Sequence, residues 1–361
     1  MQQFSSDLGH EHLVETRKPL LSFDENAPFE PWKQAVKEKL TQLLGDMPER
    51  VPLNIQIEWK KEHDTYTETR FSFDSEAYVS VPCHLLVPKK GKAPYPVVIC
   101  LQGHSTGMHI SMGRRLHLSD YNLGAGAPVL PTDRDFPGDR DYAMQAVERG
   151  YAALVLEQRG LGERASEKST PNVPVLKEWA AYDRTGCFYP SMCALLLGRT
   201  MIGERVWDIS RSIDAMSEFP ELDTERVACL GNSGGGTATY YAACMDERIK
   251  VAVPSCAVCS FDQSIGIMRH CSCNYIPGIA KYFDMGELSA LIAPRKLIMV
   301  SGEKDHGFYI KGAKECYAVI EKIYEKAGCP DNCELVVGSE GHRFYAHPTW
   351  DIFDKLTGWN D

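Results

Sequence analysis

The sequence contains no apolar run approaching the roughly 18 residues that a membrane-spanning helix needs. It has no surplus of positive charge either. Its 39 Lys and Arg stand against 49 Asp and Glu, for a formal net charge of −10. Nucleic acid or an anionic membrane would call for a basic surface, so neither partner is expected. No repeat, low-complexity tract or Gly/Ser- or Pro-rich linker divides the 361 residues. The first residues, Met1 to Asp7, lack the basic and apolar regions of a secretory leader. An even cysteine framework is missing as well: the 13 cysteines are odd in number and spread through the chain. Several lie inside apolar runs, such as Cys100 and Cys229, where a thiol behaves as a small hydrophobe. A reduced, cytoplasmic protein is expected rather than a disulfide scaffold. The tightest group, Cys256, Cys259, Cys271 and Cys273, invites a zinc reading. Its Cys-x-Cys half is too tight for the usual zinc spacing, and Cys256 continues an apolar strand, so no metal and no cofactor are expected.

What is present is an ordinary globular composition, with 43% hydrophobic and 24% charged residues. Apolar residues at helical spacing (Trp32, Val36, Leu40, Leu43, Leu44) predict a helix over residues 30–44. Residues 52–60 and 65–74 alternate apolar and polar, and residues 78–87 add a third run, which predicts antiparallel strands with one solvated face. From residue 96 the pattern changes. Short continuous apolar runs at 96–101, 152–156, 226–230, 250–254, 296–300 and 333–337 read as strands buried on both faces. Helical segments at 141–149, 202–218, 235–245, 310–327 and 350–356 alternate with them. An antiparallel start followed by βαβ units predicts an α/β fold, a mostly parallel doubly wound sheet with helices on both faces. Residues 1–75 are expected to form an extension packed on a main domain of residues 76–361. The long connections 104–139, 158–200 and 255–290 follow parallel strands, where open α/β sheets bind ligands.

Two segments match Gly-x-Ser-x-Gly: residues 231–235 around Ser233 and residues 103–107 around Ser105. The pattern has chemical meaning only where a strand turns sharply into a helix, because the strained turn lifts the hydroxyl above the sheet. Ser233 follows a strand and precedes the small residues Gly234, Gly235, Gly236, Thr237 and Ala238, which let strand and helix approach. Ser105 is followed by a poor helix start and then by dense Gly and Pro. Ser233 is the expected nucleophile.

With this elbow the chain resembles the α/β-hydrolase superfamily. Within that superfamily it is similar to the bacterial branch of acetyl xylan esterases and dienelactone-hydrolase-like proteins. The resemblance runs from about residue 76 to the C-terminus and rests on residues 101–104, 158–162, the Ser233 elbow, 293–296, Gly302 to Asp305, and Gly341-His342. It implies the chain order Ser, acid, His. A Ser hydroxyl needs a base, and the base needs an acid to orient it. His342, just past the last strand, occupies the position where the resemblance places the base; His347 is the alternative. Gly followed three residues later by Asp selects Asp305 as the acid, ahead of Glu303. Adjacent His306 points away from it and is not the expected base. The oxyanion needs two backbone donors, which the resemblance implies are Gly234 and, in Gln102-Gly103-His104, His104. Ser105 is the neighbour to test next.

Dienelactone hydrolases carry Cys at the nucleophile position, so Ser233 moves the expectation toward ordinary carboxylic esters. The expected function is a serine carboxylesterase acting on a small-molecule ester, with acetyl and other acyl groups on carbohydrate among the candidates. An amidase or peptidase on the same triad, and a non-catalytic binding protein of this fold, are the alternatives. Tyr121, Trp179, Tyr182, Phe188 and Tyr189 could form an aromatic platform for a sugar ring or aryl ester.

Overall fold

The computed structural model describes residues 6–105, 107–114, 140–166 and 186–359. One nine-stranded sheet organises them, in the order β1-β2-β3-β5-β4-β6-β7-β8-β9. The strands are β1 (Gln56–Glu62), β2 (Tyr66–Glu76), β3 (Val79–Pro88), β4 (Tyr95–Leu101), β5 (Ala152–Leu156), β6 (Leu222–Asn232), β7 (Ile249–Ser255), β8 (Lys296–Gly302) and β9 (Cys333–Gly338). β1, β2, β3 and β5 pair antiparallel in succession, whereas β5, β4, β6, β7, β8 and β9 are parallel. The described helices are α1 (Asp7–Thr16), α2 (Phe29–Leu44), α3 (Tyr142–Arg149), α4 (Phe188–Leu196), α5 (Met201–Met216), α6 (Gly234–Met245), α7 (Ile310–Lys326) and α8 (Ala346–Thr357). Among the described residues no helix is long and apolar enough to cross a membrane.

The continuous apolar strands are explained by a core on each face. In β4, Val97, Ile99 and Leu101 point to a layer shared with α2, α5, α6 and α7. Val98 and Cys100, between them, point to the opposite layer under α3 and α8. This is the period-two geometry of a strand whose two faces are both covered. The N-terminal strands differ from the expectation of one solvated face each. β2 is mostly buried, whereas every residue of β1 is exposed. The reason is position. β1 is the sheet edge, and Glu58, Lys60, Lys61 and Glu62 give that edge the charge that discourages further strand pairing. α1 and the segment after it pack on the same body: Arg17 pairs with Asp284, and the backbone of Leu20 and Leu21 bonds to Lys281 and Tyr282.

The strand order fixes where a site can form. From β4 the chain moves outward to β5, then crosses back over β4 to β6. Between β4 and β6 lies the switch point, whose carboxyl ends open into a crevice. Leu101, the last residue of β4, is in register with Gly231 of β6. The loop holding Gly103 and His104 therefore emerges beside the turn holding Ser233.

Candidate active site

At Ser233 the backbone takes φ +57° and ψ −123°, between the end of β6 and the start of α6. A non-glycine residue in this region costs about 1–3 kcal/mol and persists only where its surroundings enforce it. The surroundings are backbone. The Ser233 N–H donates to the Ser255 carbonyl at the end of β7 (2.8 Å), and the Ser233 carbonyl accepts from Thr237 to start the helix (2.9 Å). A Cβ on Gly235 would lie 2.0 Å from the Leu101 carbonyl oxygen, so only glycine lets α6 approach β4 this closely. Ser233 remains partly accessible above the sheet.

Asp305 and His342 come from the loops after β8 and β9, whose ends are in register at Gly302 and Gly338. His342 Nδ1 lies 2.8 Å from Asp305 Oδ2. Asp305 Oδ1 accepts the N–H groups of Gly307 (2.8 Å) and Phe308 (3.1 Å). Burial by itself would raise the Asp305 carboxyl. The His342 contact and the two amides outweigh it and hold the group below the ordinary aspartate range. The Phe308 ring stacks on the imidazole, with centroids 5.9 Å apart. Of the other candidates, Glu303, His306 and His347 are exposed, and His347 pairs with Asp351 on the surface of α8.

The end of β7 is bonded both to the Ser233 turn and to the segments that carry Asp305 and His342. Ser255 Oγ donates to Asn232 Oδ1 (2.8 Å), the Cys256 N–H donates to the Val300 carbonyl (2.8 Å), and Cys256 Sγ donates to the Arg343 carbonyl (3.3 Å). Cys256, Asp305 and His342 hold their polar atoms within 4.8 Å of one another. Burial and the neighbouring Asp305 push the Cys256 thiol up, so it stays protonated.

The loop after β4 closes the other side. A Cβ on Gly103 would lie 2.8 Å from both the Asn232 carbonyl and Ser233 Cβ, so the loop touches the elbow. A Cβ on Gly234 would lie 2.7 Å from His104 Cε1, so the His104 ring rests against Gly234. Ser105 Oγ donates to the Gly103 carbonyl (3.1 Å) and ties this turn together, and among the described residues that follow, Met108–Met112 form a short 3-10 turn.

Sequence reasoning missed the residue beneath that turn. Glu157, directly after β5, is buried and accepts from Gln102 Nε2 (2.5 Å) and from the Met108 N–H (3.1 Å). Burial pushes its carboxyl up to about 7. Its only sequence signal is its place before Gln158-Arg159-Gly160. That run is anchored by Arg159, whose guanidinium grips the buried carboxylate of Asp208 through two 2.8 Å bonds. Of the aromatic candidates, Phe188 and Tyr189 lie on α4 and are 54% and 41% exposed; Tyr121, Trp179 and Tyr182 lie outside the described residues.

The cysteine grouping differs from the one adjacency suggests. Cys256 turns to the Arg343 carbonyl and Cys259 to the carbonyls of Gln263 and Tyr309. Cys271 and Cys273 instead gather with Cys187 and His104.

Fold and site geometry together define an α/β-hydrolase. A sequence profile of the Abhydrolase family matches residues 2–235, and the chain belongs to that family. The match includes the N-terminal residues and stops just past the elbow. The chain is 26% identical over 309 residues to "Putative hydrolase YtaP" of Bacillus subtilis (strain 168), covering 85% of this chain and 92% of that one. Its fold is similar to that of a "putative acetyl xylan esterase" from Bacteroides fragilis NCTC 9343 (TM-score 0.73, 17% identity, 96% of this chain and 84% of that one). It is also similar to that of a glucuronoyl esterase from Solibacter usitatus (TM-score 0.65, 16% identity, 96% of this chain and 97% of that one). Family and relative agree with the expectation of a hydrolase.

Proposed function

We propose that this chain is a serine esterase for carboxylic esters carried on carbohydrate. Ser233 is the nucleophile, His342 the general base and acid, and Asp305 the group that orients the imidazole. The observation that carries the reading is the backbone of Ser233, strained at φ +57°, on the same sheet edge as the 2.8 Å Asp305–His342 contact. Ser233 Oγ attacks the ester carbonyl and passes its proton to His342 Nε2. The resulting oxyanion is held by the N–H groups of Gly234 and His104. Collapse breaks the ester C–O bond, the alcohol leaves with the proton from His342, and the acyl group stays on Ser233. Water repeats the sequence and releases the acid.

The substrate class is supported by the folds this chain resembles, whose names denote esters of carbohydrate. Phe188 and Tyr189 offer exposed rings for such a ligand. Residues 1–75 brace the catalytic domain of residues 76–361 in this reading. The burial of most thiols suits a reducing, cytoplasmic location.

The test is a panel of acetylated sugars, glucuronoyl methyl esters, p-nitrophenyl esters and anilides, run beside fluorophosphonate labelling. Ester turnover with covalent label on Ser233 is expected. Turnover of anilides in preference to every ester would assign an amidase instead, and absence of both turnover and label would leave only a binding protein.

A further inference from the structure

Four side chains from three separate loops converge behind the elbow. His104 follows β4, Cys187 precedes α4, and Cys271 and Cys273 lie in the long connection after β7. Their ligand atoms all lie within 4.8 Å of one another. His104 Nε2 is 3.0 Å from Cys273 Sγ, and the sulfurs of Cys271 and Cys273 are 3.4 Å apart. Tetrahedral zinc, with Zn–S near 2.3 Å, sets its sulfurs about 3.8 Å apart and its nitrogen about 3.5 Å from each sulfur. Both contacts lie within about half an ångström of those tetrahedral separations.

An independent observation concerns Arg205. Its side chain is buried, yet among the described residues its guanidinium meets two sulfurs and a carbonyl rather than a carboxylate. The guanidinium instead faces Cys273 Sγ (3.3 Å) and Cys187 Sγ (3.5 Å), and donates twice to the Arg159 carbonyl (2.7 and 3.2 Å). A buried cation requires compensating negative charge nearby. Neutral thiols supply none. Three thiolates and an imidazole around a divalent ion carry one net negative charge, which the guanidinium cancels.

We infer that His104, Cys187, Cys271 and Cys273 form a structural zinc site, with Arg205 as its buried counter-charge. Three sulfurs and one nitrogen, with no carboxylate among them, are a donor set for zinc rather than for a hard cation. Four protein ligands leave no open position, so the ion would not activate water and the ester chemistry stays with Ser233. Binding releases three thiol protons to solvent. The site would clamp three loops at the carboxyl edge of the sheet. Through His104 it would also fix the turn that lies against Gly234, which makes the ion a positioning element for the proposed oxyanion donors.

The experiment is metal analysis of the full chain, purified under reducing conditions without chelator, incubated anaerobically with Zn2+ and desalted. About one zinc ion per chain is expected to stay bound. The double variant Cys271→Ser/Cys273→Ser should lose it, while Cys259→Ser, outside the group, should keep it. Replacement by Co2+ should give intense visible bands of a tetrahedral ion and a near-ultraviolet thiolate charge-transfer band, independent of any esterase assay. The inference is overturned if the wild-type chain retains no zinc and shows no such cobalt spectrum. It is equally overturned if the double variant retains as much zinc as wild type, or if peptide mapping of the reduced-purified chain finds a disulfide among Cys187, Cys271 and Cys273.

Discussion

His342 holds only one of the two oxygens of Asp305; the other is held by the backbone of the same loop. Oδ2 meets the imidazole Nδ1 at 2.8 Å, while Oδ1 accepts from Gly307 and Phe308. The two amides fix which edge of the carboxylate faces the ring. In Asp305→Asn they would keep the carbonyl oxygen and turn the NH2 toward Nδ1, which imposes the wrong imidazole tautomer. A loss of about 10^3–10^4 in kcat is expected. Exposed Glu303→Gln should stay within about twofold of wild type. Steady-state kinetics of both variants decide the matter, and the reverse ranking would move the acid role to Glu303.

Ser233 carries backbone strain and, in the proposed mechanism, the nucleophile, and two substitutions separate them. Ser233→Ala should abolish turnover and fluorophosphonate labelling. Ser233→Gly should abolish both as well, yet raise the unfolding free energy by about 1 kcal/mol, because glycine accepts φ +57° without strain. Ser105→Ala should retain most activity. Denaturant unfolding beside the ester assay checks all three, and a Gly variant less stable than the Ala variant would contradict the strain argument.

The activity should fall in acid. Asp305 is held below the ordinary aspartate range, so it is ionised throughout the working range and contributes no limb there. In the proposed mechanism the base must be neutral to accept the Ser233 proton. A kcat/KM profile should show one acidic ionisation. His270, whose Nε2 lies 3.0 Å from the Gly307 carbonyl, is a second imidazole near the site. Burial lowers its pKa. His270→Gln should leave the limb in place, and a limb that vanished with His270 would assign the base there.

Glu157 should make the fold less stable as pH rises. Its carboxyl, raised to about 7 by burial, holds a proton in the folded chain that the unfolded chain releases near its ordinary value. The stabilisation is complete below that ordinary value and is lost as pH rises through about 7. Asp305 and Asp246, held low, act in the opposite direction and lower in the scale. The comparison is therefore with Glu157→Gln, which cannot titrate. Between pH 5 and pH 8 wild type should lose up to about 3 kcal/mol relative to that variant in denaturant titrations. Parallel pH dependences would show that Glu157 is ionised in the folded state at both ends.

The parallel strands were legible because burial on both faces leaves a continuous apolar run, and the elbow because small residues must follow its Ser. α1 was not: Asp7–Thr16 buries none of its residues and so carries no apolar stripe. α4 hides behind a proline at its third position and two cysteines nearby. Glu157 reads as an ordinary polar residue after a strand, and only its contacts with Gln102 and Met108 of another loop reveal that it is enclosed. The cysteines show the same limit. Sequence distance groups Cys271 with Cys256, but folding brings it to Cys187 and His104, because the segments after β4, before α4 and after β7 return to one point. Asp305 and His342 needed the family order as well as their places after strands, since their contact spans 37 residues of chain.

The elbow is made of main-chain atoms. Gly235 rests on the Leu101 carbonyl, Gly103 on the Asn232 carbonyl, and the Ser233 N–H on the Ser255 carbonyl. Each contact asks a neighbour for the lack of a side chain or for nothing but its backbone. The surrounding walls can therefore be rebuilt, one loop at a time, while the Ser233 hydroxyl stays where it is. What such a scaffold gives up is any tolerance for a methyl group at Gly103 or Gly235.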